Sequence, residues 1–538
     1  MARKPDLRSS PTQEILSLEE GNLPPIEGAY LVLSGPGSGK TTLLVSRLVQ
    51  ILSTPSFGRT RLLALTFTNK AAAEMKTRLN VQFRDLDERS FIGTFHSFAN
   101  RVLRAHGNLI GLSSNFVILD QEDQKEVLRE LEQLGKIPEG TDLDSVIFAF
   151  SRLKSRGELK RGDSGGAAIS ESLVNLHQAY SERLDSLNGL DFGDLILDTI
   201  RLFKERRQIL QFYQMAHRFV LVDEFQDTTP AQYELLKLLL PSDRANIFAV
   251  ADEDQLIYEW NEARQETLEQ LCKDFPTAVI YSTLSYRCPP HIVEAANAVI
   301  SYNKLRFQSK PEIRSRPGLP TDYILLYDAE SEKQESHFVA ETIVKSLSSH
   351  STLQYRDIAV IARTRRILNA SEEQLQTIGI PAARPSLGGI GGSEEGQIIL
   401  RLLRWLQNPR DEQGARRVIS FLCPESAGLL QEALHEAHER SLPFESILFD
   451  TLTKSGDSQI LKNLLENVPK WRLHLQDTNT LLMLIREEIS SLSAKGNEDE
   501  RYTTDLLACI DELMNAVKQM AVGRKVAVPD FLLGLPQL

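Results

Sequence analysis

The stretch L-V-L-S-G-P-G-S-G-K-T-T-L-L at residues 31–44 constrains the fold more than any other part of the sequence. A short apolar run leads into a glycine-rich loop that opens a helix, which is the context of a phosphate-binding loop. Its glycines let backbone N–H groups converge on phosphate oxygens, while Lys40 reaches the terminal phosphates and Thr41 ligates Mg²⁺. The predicted nucleotide-binding residues are Ser34, Gly35, Pro36, Gly37, Ser38, Gly39, Lys40, Thr41 and Thr42. The alternative is a glycine-rich turn that binds no nucleotide.

The stretch R-F-V-L-V-D-E-F-Q-D at residues 218–227 supplies the second half of such a site. Hydrolysis of a nucleotide needs one carboxylate to hold the metal and a second group to handle the attacking water. Asp223 is predicted to hold Mg²⁺ and Glu224 to act as the general base. A solvated acidic turn is the alternative, but the apolar run before Asp223 argues for the end of a buried strand. Together the two stretches predict hydrolysis of a nucleoside triphosphate.

Apolar runs that alternate with helical segments indicate an α/β fold with parallel sheets covered on both faces. The predicted strands are 30–33, 62–66, 219–222, 247–250, 323–327 and 357–361. Two long regions break this pattern because they are mostly helical, the first at 104–189 and the second from residue 394 onward. Between them, the glycines of 385–393 predict a hinge.

Length and composition limit the class of protein. A chain of 538 residues exceeds a single core, so three or four domains are expected. The net charge of -12 argues against binding nucleic acid by bulk electrostatics, although a local basic groove stays open. Four cysteines without a C-x-x-C pair predict a reduced compartment without structural zinc. The absence of an apolar leader or a membrane-spanning run predicts a soluble, cytoplasmic protein.

Two charged stretches have a simple interpretation and a functional one. V-A-D-E-D-Q-L-I-Y-E-W-N-E-A at residues 250–263 is a solvated acidic loop unless its neighbours assign a role to the embedded Gln255, Tyr258 and Trp260. S-R-L-K-S-R-G-E-L-K-R at 151–161 is interpreted as a solvated helical face in preference to a contact with duplex nucleic acid.

Further stretches follow one another in a fixed order along the chain. They are L-T-F-T-N-K-A-A-A-E-M at 65–75, I-G-T-F-H-S-F-A-N-R-V-L-R at 92–104, D-F-G-D-L-I at 191–196 and L-S-Y-R-C-P-P-H-I-V-E-A-A-N at 284–297. With the stretches above, they closely resemble the successive motifs of the UvrD/Rep-type (PcrA-like) DNA helicases of superfamily one. Y-R-D-I-A-V-I-A-R-T-R-R at 355–366 and G-I-P-A-A-R-P at 379–385 look like the start of that family's second motor domain. The resemblance fades after about Asp411.

The resemblance implies P-loop NTPase (RecA-like) motor domains with helical insertions. The first motor domain is expected at 1–105 and 190–282, with a helical insertion at 106–189. A partial second motor domain is expected at 283–385, followed by a helical insertion domain at 386–538. The function implied is an ATP-dependent DNA helicase or 3′ to 5′ single-strand translocase in DNA repair or replication, which uses ATP and Mg²⁺.

The resemblance also assigns roles at the nucleotide. Gln255 is expected to sense the terminal phosphate and Arg287 to contact the γ-phosphate. Tyr286 is expected to stack on adenine, and Gln13 to read the adenine edge. The alternatives are a solvent-facing Tyr-Arg pair and an exposed polar Gln13.

At the DNA, the resemblance assigns stacking on bases to Tyr258 and Trp260, because aromatic rings stack on any base. Phe67 and Phe95 would extend this platform, with His96 and Asn69 beside it. For each aromatic residue the alternative is a packing role in the core. The expected partners are single-stranded DNA and junctions between single strands and duplexes.

The chain departs from the family pattern in two ways. Within 250–263, a glycine is replaced by Glu262 and an arginine by Asn261, which is expected to weaken attraction to DNA phosphates. Two closing motifs, resembling H-S-A-K-G-L-E-F and Y-V-A-x-T-R-A, are not found between Asp411 and Leu538. A truncated, split or degenerate gene would explain this. The alternative function is therefore an ATP- and DNA-binding protein or regulatory subunit that does not unwind, with a polypeptide that supplies the missing motifs as a further partner.

Overall fold

The protein is represented by a computed structural model. It describes residues 15–17, 23–57, 61–161, 169–241, 243–257, 262, 264–303, 310–382, 393–440, 444–455, 459–493, 500–521, 525–528 and 531–532. These fall into a larger compact unit, within Met1–Leu319 and Ile390–Leu538, and a smaller one within Pro320–Gly389. Among these residues no helix combines the length and apolar character needed to cross a bilayer. The domain division expected from the resemblance stays a prediction.

A parallel sheet organises the first part of the larger unit. Its strands are β1 (Ile15–Ser17), β2 (Ala29–Ser34), β3 (Arg61–Thr66), β4 (Ser90–Thr94), β7 (His217–Val222), β8 (Ile247–Ala251) and β9 (Thr277–Ser282). Within the described residues they lie in the order β1-β9-β2-β8-β7-β3-β4, and each pairing is parallel. Short parallel pairs join β5 (Val117–Ile118) to β6 (Gly189–Leu190), and β10 (Leu284–Ser285) to β11 (Arg314–Ser315). The strands predicted at 30–33, 62–66, 219–222 and 247–250 are confirmed.

Helices cover both faces of this sheet, as its continuous apolar strands require. Alternate residues of β2 point to opposite faces, with Leu31 and Leu33 in one core and Val32 in the other. Burying each such side chain contributes about 1.5 to 3 kcal/mol. The helices of this region are α1 (Lys40–Leu52), α2 (Asn69–Asn80), α3 (Leu86–Arg89), α4 (Phe95–His106), α8 (Phe192–Glu205), α9 (Arg207–Ala216), α10 (Pro230–Leu239), α11 (Glu266–Asp274) and α12 (Pro290–Ile300).

The first predicted helical region is confirmed as α5 (Gln121–Gln133), α6 (Leu143–Ser155) and α7 (Glu171–Ser186), with a core of their own. A buried ion cluster fixes α6 to α8. Lys154 Nζ donates to Asp191 Oδ2 at 2.6 Å and to Asp194 Oδ1 at 2.7 Å. A Cβ atom on Gly193 would lie 2.8 Å from Lys154 Cδ, so the D-F-G-D stretch needs glycine between its carboxylates.

The second predicted helical region is also confirmed and encloses a core around the fully buried Trp405. Its helices are α15 (Glu394–Gln407), α16 (Glu412–Leu422), α17 (Ala427–Arg440), α18 (Phe444–Ser455), α19 (Gln459–Arg472), α20 (Thr478–Ser493) and α21 (Glu500–Ala521). Arg401 and Arg404 on α15 both pair with the buried carboxylate of Asp123 on α5. This charge contact joins the two helical regions within the larger unit. The predicted hinge at 385–393 lies outside the described residues, except for Ser393.

The smaller unit is built from α13 (Glu332–Ser349) and α14 (Arg365–Thr377), which pack through a small apolar core. The strands predicted at 323–327 and 357–361 are wrong, since the structure has no strand at either position. The side chains of 323–327 are 41 to 93% exposed. A strand requires a neighbouring backbone to satisfy its N–H and C=O groups, and the described residues provide none here.

Candidate nucleotide site and nucleic-acid interface

The site residues converge because parallel strands place their carboxyl ends along one edge of the sheet. The phosphate loop follows β2, Asp223 follows β7 and Asp252 follows β8. Phe67 follows β3, and Phe95 follows β4. Ligands bind open α/β sheets at this edge. Residues that are far apart in the sequence therefore share one cleft.

The phosphate loop has the backbone shape that its glycines permit. Gly37 and Gly39 have positive φ angles of 72° and 83°, which side chains disfavour. Helix α1 begins at Lys40, so its free N–H groups face the loop. Ser38 closes the turn, donating from Oγ to the Gly35 carbonyl oxygen at 2.8 Å. Ser34 Oγ donates to the Ala251 carbonyl oxygen at 3.3 Å, which ties the loop to β8.

Lys40 lies between two acids, Glu224 and Asp252. Its Nζ atom is 3.3 Å from Glu224 Oε2 and 3.8 Å from Asp252 Oδ2. The atom is buried and has no hydrogen-bond partner among the described residues. Because a buried ammonium group is costly to leave unpaired, this arrangement fits a lysine that binds phosphate oxygens.

The acids beside Lys40 form a site that is short of positive charge. Burial and the neighbouring Glu224 raise the pKa of Asp223 to about 6 and that of Asp227 to about 7. Glu224 adopts a left-handed conformation with φ of 47°, a strained backbone of a kind that is concentrated at functional sites. The donor set, the Asp223 carboxylate and the Thr41 hydroxyl, fits a magnesium ion that also binds phosphate and water.

The Tyr286-Arg287 segment crosses directly over the phosphate loop. Tyr286 donates its backbone N–H to the Gly37 carbonyl oxygen at 2.9 Å, and Ser285 Oγ donates to the Pro36 carbonyl oxygen at 2.8 Å. A Cβ atom on Gly37 would lie 2.6 Å from Arg287 Cβ. Only glycine allows this approach, which brings an exposed arginine to the loop.

Gln255 and Glu224 belong to one hydrogen-bond network, whose other members were not predicted. Gln255 Nε2 donates to Asp252 Oδ2 at 2.7 Å. The Asp252 backbone N–H donates to Gln226 Oε1 at 3.0 Å, and Gln226 Nε2 donates to Glu224 Oε2 at 2.8 Å. Both additional residues lie inside stretches singled out in the sequence. Their role was missed because the partners lie on different strands.

Two family models of known proteins together match most of the chain. Residues 19–276 match the family model of the UvrD/REP helicase N-terminal domain, and residues 281–525 match that of the UvrD-like helicase C-terminal domain. The chain belongs to the UvrD/Rep helicase family. Because the second match extends to residue 525, the expectation that the resemblance fades near Asp411 is wrong.

Relatives with this similarity include the ATP-dependent DNA helicases PcrA of two staphylococci. The protein of Staphylococcus aureus (strain Mu50) is 32% identical over 438 residues, which are 79% of this chain and 58% of the relative. That of Staphylococcus epidermidis (strain ATCC 12228) is 31% identical over 440 residues, or 80% of this chain and 58% of the relative. The UvrD/Rep family member described here thus matches 58% of the length of these relatives.

The residues expected to contact DNA in this UvrD/Rep family member have different environments. Phe67 and Asn69 are half-buried near the cleft. Phe95 is in the hydrophobic core and only 6% exposed, so its ring offers no face to a base, contrary to expectation. His96 packs edge-on against Phe192 at 5.7 Å, and burial lowers its pKa to about 4. Gln13, Tyr258 and Trp260 lie outside the described residues.

The expectation that the basic stretch 151–161 forms a solvated helical face is wrong. Lys154 is buried in its aspartate cluster. Arg161 pairs with Asp185 at 2.9 Å, and Arg156 pairs with Glu262 at 2.6 Å. These contacts occupy the charges that a duplex contact would have used.

Glu262 also differs from expectation, because its charge is neutralised inside the UvrD/Rep family member. It is buried, with a positive φ of 67°. Burial opposes its ionisation, but hydrogen bonds from Arg156, Arg152 and Arg264 outweigh this and lower the pKa of Glu262 to about 2. The carboxylate thus anchors α6 to the acidic stretch and presents little negative charge at the surface.

Proposed function

We propose that this chain hydrolyses ATP and uses the energy to move along single-stranded DNA, as an ATP-dependent DNA helicase. The observation that carries the proposal is the convergence of Lys40, Glu224 and Arg287 around one phosphate loop. The name of the relatives, ATP-dependent DNA helicase, agrees with it. Movement from 3′ to 5′, action at junctions, a cytoplasmic location and a role in DNA repair or replication are parts of the same proposal.

In this mechanism each charged group acts on one part of the triphosphate. Lys40 and the backbone N–H groups of the loop hold the phosphates, while Glu224 orients the attacking water and accepts its proton. Arg287 stabilises the charge that develops on the γ-phosphate, and Gln255 senses whether that phosphate is present. Asp223 and Thr41 would hold Mg²⁺, which neutralises phosphate charge when bound.

Lys40→Ala tests the proposal. We expect ATP turnover to be lost and DNA unwinding with it, because the variant removes the cation that meets the phosphates. The fold should remain, since the side chain contributes no core volume. The measurements are ATP turnover with single-stranded DNA, affinity for a fluorescent ATP analogue and thermal stability. Lys70→Ala, at an exposed lysine on α2, is the control. Unchanged turnover and affinity in Lys40→Ala would refute the phosphate-loop assignment.

Trp260→Ala tests the proposed stacking on DNA. We expect single-strand affinity to fall by about 1 to 3 kcal/mol, the contribution of one stacked base. The salt dependence should stay the same, since a stacked ring neutralises no phosphate. The measurement is titration of a labelled oligonucleotide at several salt concentrations. Tyr302→Ala, at a ring that is 84% exposed, is the control. Equal affinities of Trp260→Ala and the unaltered chain would identify Trp260 as a packing residue.

A second candidate function is a nucleotide-dependent DNA-binding protein or regulatory subunit that does not unwind alone. The exposed apolar stretch 323–327 in the smaller unit favours it. An extended apolar segment without a paired neighbour is a template for another strand. The partner would be a polypeptide that carries the two motifs not found in this sequence. Duplex unwinding by the purified chain alone would exclude this candidate.

A further inference from the structure

Lys310 is a buried lysine that lies outside all the motifs, yet its ammonium group borders the nucleotide site. Its side chain is 0% exposed. The Nζ atom donates to the Ser34 carbonyl oxygen at 3.0 Å, to Asp252 Oδ1 at 2.8 Å and to Asp254 Oδ2 at 3.3 Å. An ammonium group has three protons to donate, and here there are three acceptors. The surroundings therefore hold this group in one orientation.

Burying such a lysine costs free energy, and its ion pairs add little net stability in return. Taking an ammonium ion and a carboxylate out of water is unfavourable, and their attraction seldom does more than offset this. Apolar residues of similar volume often fold at least as well. The Lys310–Asp252 pair, in which neither side chain is exposed, thus calls for a functional explanation.

Asp252 is the residue through which Lys310 would act. One carboxylate oxygen accepts from Lys310, and the other accepts from Gln255 Nε2 at 2.7 Å. The backbone N–H of Asp252 reaches Glu224 through Gln226. Holding Asp252 in place therefore holds both the proposed phosphate sensor and the proposed general base.

The pair also affects Lys40 electrostatically. Lys40 Nζ is 3.8 Å from Asp252 Oδ2, close enough for a strong attraction in a buried site. Because Lys310 already neutralises this carboxylate, Lys40 stays available to a phosphate.

The backbone around Lys310 is fixed to the same loop. A Cβ atom on Gly35 would lie 2.3 Å from Ile313 Cδ1, so Ile313 packs directly on the phosphate loop. Arg314 donates its backbone N–H to the Thr283 carbonyl oxygen at 2.8 Å, where β11 pairs with β10. Strand β10 leads into Arg287, so the segment that carries Lys310 is coupled to both sides of the site.

We propose that Lys310 is a positioning residue for ATP hydrolysis, which holds Asp252 and thereby aligns Gln255, Glu224 and Lys40 with the γ-phosphate. The inference rests on the proposed function and adds a residue to it. Lys310 touches no reacting atom. Its removal should therefore slow the chemical step far more than it weakens ATP binding.

The test is Lys310→Met, which keeps the length of the side chain and removes its charge. We expect kcat for DNA-stimulated ATP hydrolysis to fall about 10- to 100-fold, as for a slightly misplaced catalytic group. KM and the affinity for a fluorescent ATP analogue should change less than about threefold, since uniform binding is kept. Lys273→Met, at a lysine whose side chain is 67% exposed, should match the unaltered chain.

A second variant separates positioning from stability. Combining Lys310→Met with Asp252→Asn removes the buried carboxylate that would otherwise lose its partner. We expect this double variant to regain thermal stability while turnover stays low. Recovery of both would mean that Lys310 is only structural, and unchanged kcat in Lys310→Met would overturn the inference too. In either case ATP hydrolysis by the unaltered chain would leave the proposed function standing, whereas no ATP binding by that chain would refute the function itself.

Discussion

Replacing Arg287 by alanine is expected to lower DNA-stimulated ATP turnover by about 10³- to 10⁵-fold, the contribution of an arginine finger to phosphoryl transfer. The guanidinium stabilises charge that grows on the γ-phosphoryl group as its bond to the leaving oxygen breaks, so its effect is largest in the transition state. ATP binding should weaken far less than turnover. The Arg287 backbone is held against Gly37 of the loop, which makes this geometry independent of the guanidinium.

The measurements for Arg287→Ala are single-turnover hydrolysis and affinity for a fluorescent ATP analogue. Arg314→Ala is the matched control, because Arg314 is an exposed arginine on the neighbouring strand β11. Equal losses of affinity and turnover would mean that Arg287 binds the ground state. Loss of neither would place another cation at the γ-phosphate.

Replacing Glu224 by glutamine is expected to slow ATP hydrolysis by about 10²- to 10⁴-fold, the usual contribution of a general base. Glutamine keeps the size of the side chain and an oxygen that can accept from Gln226, but it cannot take a proton from water at neutral pH. Lys40 would lose the acid that lies 3.3 Å away, so its charge would be freer for phosphate. ATP affinity should therefore stay equal or rise.

For Glu224→Gln the decisive measurement is the ratio of ATP affinity to turnover. The control is Glu269→Gln, at a half-exposed acid that pairs with Lys273 on the surface of α11. Backbone strain is matched, because glutamine and glutamate have the same cost at a φ of 47°. A variant that binds ATP normally and hydrolyses it at the unaltered rate would assign the base to another residue.

Much of the nucleotide site could be predicted from the sequence because its signals are local. A strand, a glycine-rich loop and a helix follow one another within 31–44, and the structure has β2, the loop and α1 in those places. The position of Asp223 could be predicted in the same way, because it directly follows the apolar run that forms β7. Parallel strands then bring these ends to one edge of the sheet, whatever the intervening chain does.

The apolar runs predicted strands correctly only where the structure places another strand beside them. The runs 219–222 and 323–327 are similar in apolar character. The first lies between two neighbouring strands, whereas the second has no neighbouring strand among the residues that the structure describes. A strand is stable when another backbone satisfies its N–H and C=O groups, and sequence periodicity does not report that partner.

The phosphate loop, the acids Asp223 and Glu224 and the family could all be predicted from short stretches, because the chemistry of each depends on residues that are neighbours in the chain. The packing of Phe95 in the core depends on tertiary contacts, as does the neutralisation of Glu262 by Arg152 of α6 and by Arg156 just beyond it. The tertiary structure also places Lys310 beside Asp252, 58 residues away along the chain. The physical reason is that burial and charge pairing depend on which side chains meet in space. An aromatic ring or a charge therefore has the same appearance in sequence whether it faces DNA or lies inside the protein.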